Sequence, residues 1–260
     1  MTKQGPEMTE KLFALLDVYH EADAHSAAMN MAIDEVLLSS ASVPAIRFYR
    51  WQSPALSFGY FGRFSDVASY QGERDLVRRW TGGGIVFHGK DVTYSLVVPA
   101  NHAAFHESSM SIYEKIHRAL CDALTETGQS AQLLPVAAVY DRRKSRTSDV
   151  NVTRQQAGER RSLESAVADR RYNSCFENPV RADVMIAGKK VAGAAQRRTR
   201  RALLQQGSIQ SVDLESGLEQ RFIQALSTDY SERKLDEEIL NRARELAEQK
   251  YSTDSWLRKR

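Results

Sequence analysis

Apolar and polar positions alternate along this chain in two rhythms, and each predicts a different kind of element. Short apolar runs bounded by turn residues occur at 45–49 (AIRFY), 55–60 (ALSFGY), 85–87 (IVF), 92–98 (VTYSLVV), 184–186 (VMI), 191–192 and 202–209 (ALLQQGSI). They predict strands, the first two separated by a turn at Gln52, Ser53 and Pro54, and the 184–192 pair joined as a hairpin through Ala187, Gly188 and Lys189. A run at 12–19 predicts an edge strand. The three-to-four spacing of helices recurs at 27–39 and, most clearly, at 108–128, where Ile112, Ile116, Leu120 and Leu124 share a face, serines can cap the start and Gly128 ends the run. Residues 214–226 and 232–251 predict a helical C-terminal segment spanning 214–256. On the 27–39 helix Asn30 and Asp34 stand four apart and read as solvated or capping groups.

Both rhythms vanish over 141–173, a polar, arginine-rich stretch almost free of aromatics, which predicts a mobile insertion with at most a helical turn near 163–168. Its arginines suit an acidic protein partner or RNA as well as plain solvent. The composition adds limits. With 260 residues, 42% apolar, the chain can build a sizeable core. A net charge of +3 indicates neither a nucleic-acid coat nor a membrane surface. No window reaches the length of a membrane span, and two distant cysteines, Cys121 and Cys175, exclude a disulfide framework and a cysteine-based zinc site. These features predict a soluble, cytoplasmic protein. Cys121, beside Leu120 on the amphipathic helix, reads as a small buried filler.

The chemistry concentrates at 78–88 (RRWTGGGIVFH). Gly82, Gly83 and Gly84 between strands can take positive φ and let backbone N–H groups approach a ligand as an anion nest, with Arg78 and Arg79 beside them. A tight hairpin flanked by solvated arginines is the competing reading. Neither a P-loop nor a dinucleotide fingerprint is present. Gly59 permits close approach of backbone or ligand, and Lys190, opening a strand of small residues, can project its ammonium into the space they leave.

The ordered segments AMNMAIDEVLL, SFGYF, RRWTGGGIVFH with TYSLVV, CFENP, ADVMIAGKKVAGAAQRR and QGSI resemble the lipoate-protein ligase A family, whose catalytic domain is shared with biotin ligases and cysteine-dependent octanoyltransferases. The resemblance runs from about Ala27 to Ile209, with KYSTDSW resembling the domain's end. It implies an α+β fold, a mainly antiparallel β-sheet packed with helices, and one catalytic domain over 1–260. It also implies that Arg78, Arg79, Thr81, Gly82, Gly83, Gly84 and His88 line the acyl pocket together with Gly59, Tyr60, Gly193 and Ala194, with Phe58 as a further tunnel wall. Lys190 falls on the family's essential lysine, where its charge would stabilise an acyl-transfer oxyanion.

Two chemistries follow from the resemblance. In the ligase route ATP and Mg²⁺ activate lipoate as an acyl adenylate, with Asp183 near the lysine or the metal. In the transferase route Cys175 takes an octanoyl group from acyl carrier protein as a thioester, and no cofactor is needed. GKDVTYSL after His88 is closer to the transferases, which however carry Glu where Asp183 stands and His where Gln206 stands. The balance falls slightly toward the ligase, with Cys175 then structural. Either route implies lipoyl-domain acceptors, such as 2-oxoacid dehydrogenase E2 subunits and the glycine cleavage H protein. Binding of RNA through the arginine clusters is disfavoured, because no aromatics interleave with them to stack on bases.

Overall fold

The computed structural model describes residues 11–135, 179–213 and 217–259. The 141–173 insertion and Cys175 lie outside the described residues.

Eleven strands are described, in two sheets. The larger has the order β11-β1-β2-β6-β10-β9-β8-β7 and the smaller β4-β3-β5. In chain order these are β1 (Phe13–His20), β2 (Ala45–Tyr49), β3 (Ala55–Phe58), β4 (Asp75–Arg78), β5 (Ile85–Phe87), β6 (Val92–Pro99), β7 (Ala131–Leu133), β8 (Val184–Ile186), β9 (Lys189–Arg198), β10 (Ala202–Ile209) and β11 (Ser227–Arg233). The pairs from β2 through β7 are all antiparallel, while β1 lies parallel to both β2 and β11. The expected α+β, mainly antiparallel arrangement is present.

β6 and β10 form the middle of the large sheet, and every residue of both is buried. Helices cover both faces, so the strands read as continuous apolar runs, and only the environment of each side chain reveals the alternation. Val92, Tyr94, Leu96, Val98, Leu203 and Ile209 join the core cluster that contains Ile112, Ile116 and Leu120 of helix α2 (Ser109–Glu126). Ser108 caps that helix by accepting from the Ser111 N–H, and Gly128 follows at φ +85. Helix α3 (Leu218–Leu226) packs beside α2 through Leu218, Phe222 and Ile223. The opposite face carries Val97, Ala202 and Leu204 against helix α1 (Ala27–Ser40) and against Ala243 of helix α4 (Glu237–Leu246).

Three sequence expectations are corrected here. The first strand is not an edge, because β11 pairs along its outer side, and β11 occupies the gap between the expected helices 214–226 and 232–251 and runs into the start of the second. Its sequence, STDYSER, has no apolar alternation because it is the sheet's exposed edge, so periodicity could not find it. Asn30 and Asp34 are not solvated either: both have no exposed surface.

Candidate active site

On the α1 face, β6, β9 and β10 meet the small sheet around a narrow, partly open cavity. Small residues open it: Gly193, Ala194 and Ala195 on β9 and Gly207 on β10. Met31, Tyr49, Trp51 and Val86 supply apolar surface, and Ser57, Arg79, His88, Lys190 and Gln206 supply polar atoms. An apolar chain with one polar end matches that mixture.

Lys190 enters from the first turn of β9. Its Nζ lies 2.8 Å from Asp183 Oδ2, with both side chains nearly inaccessible. Asp183 also accepts from the Val180 N–H at 2.6 Å and, through Oδ1, from the Tyr113 hydroxyl at 2.6 Å. The Tyr113 oxygen in turn accepts from the Ala194 N–H at 3.1 Å, tying helix α2 to the cavity wall. Burial and the neighbouring Asp183 carboxylate raise the Tyr113 pKa, so it remains a donor. A Cβ on Gly193 would stand 2.4 Å from Lys190 Nζ, so glycine is what gives the ammonium its place.

On the other side of the cavity, Ser57 Oγ and His88 Nε2 are 2.7 Å apart, and His88 Nδ1 and Asp91 Oδ2 are 2.7 Å apart. Trp51 stacks on the imidazole with ring centroids 4.0 Å apart. Asp91 also accepts from the Gly89 N–H and from the Thr93 and Ser208 hydroxyls. Burial works against its charge, but the donors, His88 foremost, win and hold its pKa near 2. Burial lowers the pKa of His88, outweighing the opposing pull of Asp91.

Beneath the cavity, Asp34 accepts from Arg47, Ser95, Gln206 and Tyr49, and Thr81 donates to Gln206 Oε1 at 2.7 Å. Arg47, fully buried on β2, also bonds Asn30 Oδ1 at 2.7 Å and pairs with Glu21. Two polar residues four apart within an otherwise apolar helix, with an arginine inside a buried strand, are the sequence signal for this network.

The residues singled out from the sequence divide accordingly. Lys190, Gly193, Ala194, Arg79 and His88 line the cavity. Arg78 does not: it is fully buried over the Phe58 ring and donates to the carbonyls of Tyr60, Gly62, Trp256, Leu257 and Lys259. Arg79 donates to Ser57 Oγ and to the carbonyls of Gly82 and Gly84, so these loop carbonyls face a guanidinium rather than a ligand. Gly82, Gly83 and Gly84 are second-row supports, with Gly59 crossing so closely that a Cβ there would meet Gly83 O at 2.1 Å. Phe58 and Tyr60 are not cavity walls; Tyr60 packs by Trp256 with ring centroids 5.8 Å apart. Met31, Tyr49, Trp51 and Ser57, none of them singled out from the sequence, line the cavity instead. Cys121 is buried as expected, and burial pushes its thiol up to about 12.

The donors around Asp183 leave it poorly suited to a magnesium ion, and among the described residues no group of three or more His, Cys, Asp or Glu side chains could hold a metal. No described helix is long and apolar enough to cross a membrane.

Comparison with known proteins gives consistent relatives. The lipoyl protein ligase A/B catalytic domain profile matches residues 26–250. Octanoyltransferase LipM of Brevibacillus brevis is 31% identical over 204 residues, covering 74% of this chain and 64% of that protein. LipM of Oceanobacillus iheyensis is 34% identical over 197 residues, covering 73% and 62%. The aligned region thus spans less than two thirds of these relatives' length. Among solved structures, lipoate-protein ligase A bound with ATP superposes with a TM-score of 0.65 at 22% identity, over 94% of this chain and 98% of that one. The bi-partite lipoate protein ligase of Thermoplasma acidophilum gives 0.62 at 19%, over 95% and 96%. At these identities the structures establish a shared fold.

Proposed function

The chain belongs to the lipoyl protein ligase A/B catalytic domain family, and from that premise we propose that it is an octanoyltransferase, moving an octanoyl group from acyl carrier protein to a lysine of a lipoyl-domain protein. The observation that carries this reading is the 31–34% identity to octanoyltransferases. The ATP-dependent route, slightly favoured from sequence alone, fits those relatives less well, and the crowded Asp183 carboxylate supports the same choice. ATP and Mg²⁺ are then not required. We read residues 1–260 as one catalytic domain.

In this mechanism the Cys175 thiolate attacks the carbonyl carbon of octanoyl-acyl carrier protein, the carrier's thiolate leaves, and the enzyme holds the chain as a thioester. The apolar part of the cavity takes the chain. Lys190, held against Asp183, supplies a fixed positive charge toward the developing oxyanion. The acceptor's ε-amine then attacks the thioester carbonyl, an amide forms and the Cys175 thiolate is released.

The test is intact-protein mass spectrometry of a lipoyl-domain acceptor in two arms: octanoyl-acyl carrier protein without ATP, and lipoate with ATP and Mg²⁺. Each arm uses wild type and Cys175→Ser. Acceptor modification from the carrier protein, lost in Cys175→Ser together with an octanoylated enzyme mass, is the expected result. Modification in the ATP arm alone, indifferent to Cys175, refutes the transferase and makes the protein a ligase.

A further inference from the structure

A lysine on another protein has to reach this cavity, and the structure marks the side from which it comes. Among the described residues that line the cavity, only Trp51, Lys190, Gly193, Ala194 and Ala195 keep more than a trace of exposed surface. Four of these five lie on β9, so the mouth runs along that strand. Alternate residues of a strand share a face. Arg197 therefore continues the row of Gly193 and Ala195, about 7 Å beyond Ala195 at the usual rise of a strand.

Arg197 begins a surface of cations and aromatic rings. Its guanidinium carbon lies 4.9 Å from the ring centroid of Trp80 and 5.4 Å from that of Tyr60. Among the described residues it forms no ion pair, and its Nε is buried without a hydrogen bond. Tyr60 leads outward to Phe61, with ring centroids 5.1 Å apart, and Phe61 is 79% exposed. Trp80 leads the other way, into a groove that also carries Arg200, Arg201 and Arg242. Of the acids in that groove, Glu35 is neutralised by Lys250 at 2.5 Å, which leaves Glu245 against three arginines. The cations act on Tyr60 as well: its pKa is lowered, first by a hydrogen bond from Lys259 and then by the charges of Lys259, Arg197 and Lys250.

Arg200 and Arg201 form the tip of the hairpin between β9 and β10. Its backbone is fixed, because Thr199 Oγ1 accepts from the N–H groups of Arg201 and Ala202 and the Ala100 N–H donates to the Arg201 carbonyl at 2.7 Å. Both arginine side chains are exposed and form no ion pair among the described residues. A rigid frame that holds unpaired cations loses little freedom when an anionic surface arrives, and aromatic rings beside arginine are typical of the energetic centre of an interface.

We propose that this surface, from Phe61 through Arg197 and Trp80 to Arg200 and Arg201, docks the lipoyl domain that accepts the acyl group, through an acidic patch beside its target lysine. The acceptor is the occupant because it is the one protein partner that both the transferase and the ligase route require. The proposal thus rests on acyl transfer to a lipoyl domain and is indifferent to the donor. Surface and mouth are continuous on β9, so a domain seated on the arginines and Phe61 holds its lysine at Gly193 to Ala195, beside Lys190.

The test uses an isotope-labelled apo-lipoyl domain, titrated with wild type, the double variant Arg200→Glu/Arg201→Glu, and Phe61→Ala, at low salt and at about 0.15 M salt. Acyl transfer to the same domain is followed by intact mass, and each variant is melted. None of the three residues lines the cavity, so kcat at saturating domain and the melt should stay near wild type. Charge reversal should raise Kd and KM for the domain by about tenfold or more and abolish the salt dependence of binding; Phe61→Ala should raise both by about tenfold. A lipoyl domain whose acids beside the target lysine are changed to lysine should recover affinity for the charge-reversed enzyme. Wild-type Kd and KM in both variants overturn the docking surface and leave the enzymatic reading standing. Weakened binding of octanoyl-acyl carrier protein by the variants, with the lipoyl domain held as tightly as before, assigns the surface to the donor and also overturns the proposal. A wild type that neither binds nor modifies a lipoyl domain with either donor refutes the functional reading itself, and the docking proposal with it.

Discussion

Replacing Gly193 with alanine should disable the chemistry while sparing the fold. The added Cβ would stand 2.4 Å from both Cε and Nζ of Lys190 and 3.2 Å from Asp183 Oδ1. Ordinary contacts need about 3.5 Å, so the lysine tip must withdraw by about 1 Å and its 2.8 Å pairing with Asp183 must change. Misplacing a reacting group by that distance lowers the rate by about 10²-fold, equivalent to roughly 2.7 kcal/mol of barrier. The lysine tip is flexible and the position does not need positive φ, so stability should move by less than about 1 kcal/mol. Gly207→Ala is the contrasting variant: its Cβ would lie 2.3 Å from the ring of Tyr94, which is wholly buried and cannot swing aside. That overpacking should destabilise by about 1–3 kcal/mol. Acceptor modification by intact mass, with a thermal melt of each variant, measures both effects. A Gly193→Ala enzyme with wild-type turnover and an unchanged melt would show that the position of Lys190 does not govern the rate.

Lys190→Ala should lower acyl transfer by about 10²–10³-fold and also lower the melt, because it leaves the buried Asp183 without its cation, while the bonds from Tyr113 and Val180 remain; turnover near wild type would remove Lys190 from the site. Arg78→Lys should lower stability by about 2–4 kcal/mol and speed proteolysis near 254–259, while Arg79→Lys should act mainly on turnover; equal effects of the two would contradict their separate placement. His117 donates to Ala182 O at 2.7 Å, and its Nε2 has no partner among the described residues. Burial lowers its pKa from 6.5 to about 4. Between those values the unfolded chain binds the extra proton, so stability falls as pH drops through the window, by about 3 kcal/mol in full. Urea unfolding of wild type and His117→Leu at about pH 7 and 4.5 should show a smaller acid loss in the variant; identical losses would refute the assignment.

The strands of the sheet's middle were legible because they are uninterrupted apolar runs, and α2 because its face repeats every three to four residues. The paired arginines were misjudged as a unit. Adjacent residues on a strand point to opposite sides, so Arg78 turns under the small sheet while Arg79 turns to the cavity. Ser57 carried no signal in ALSFGY, since a serine in a strand joins the cavity lining only when His88, thirty-one residues away, lands beside it. β11 was hidden by the polarity of an edge strand, and the polar floor by the assumption that Asn30 and Asp34 meet water. Local pattern fixes elements; a site assembled from six strands, a helix and the loops between them needs their register.

The pairing of β1 with β11 also bears on how the chain is made. Phe13 aligns with Ser227, and the Ser227 hydroxyl reaches the Phe13 carbonyl across a sequence separation of 214 residues. The outer edge of β1 therefore stays unpaired during synthesis until the 214 residues that separate it from β11 have been added. At roughly 5–20 residues per second that wait is on the order of ten to forty seconds. Until then the row of free backbone N–H and C=O groups along β1 is open to wrong pairing, a hazard that an edge strand made early in a long-range sheet carries.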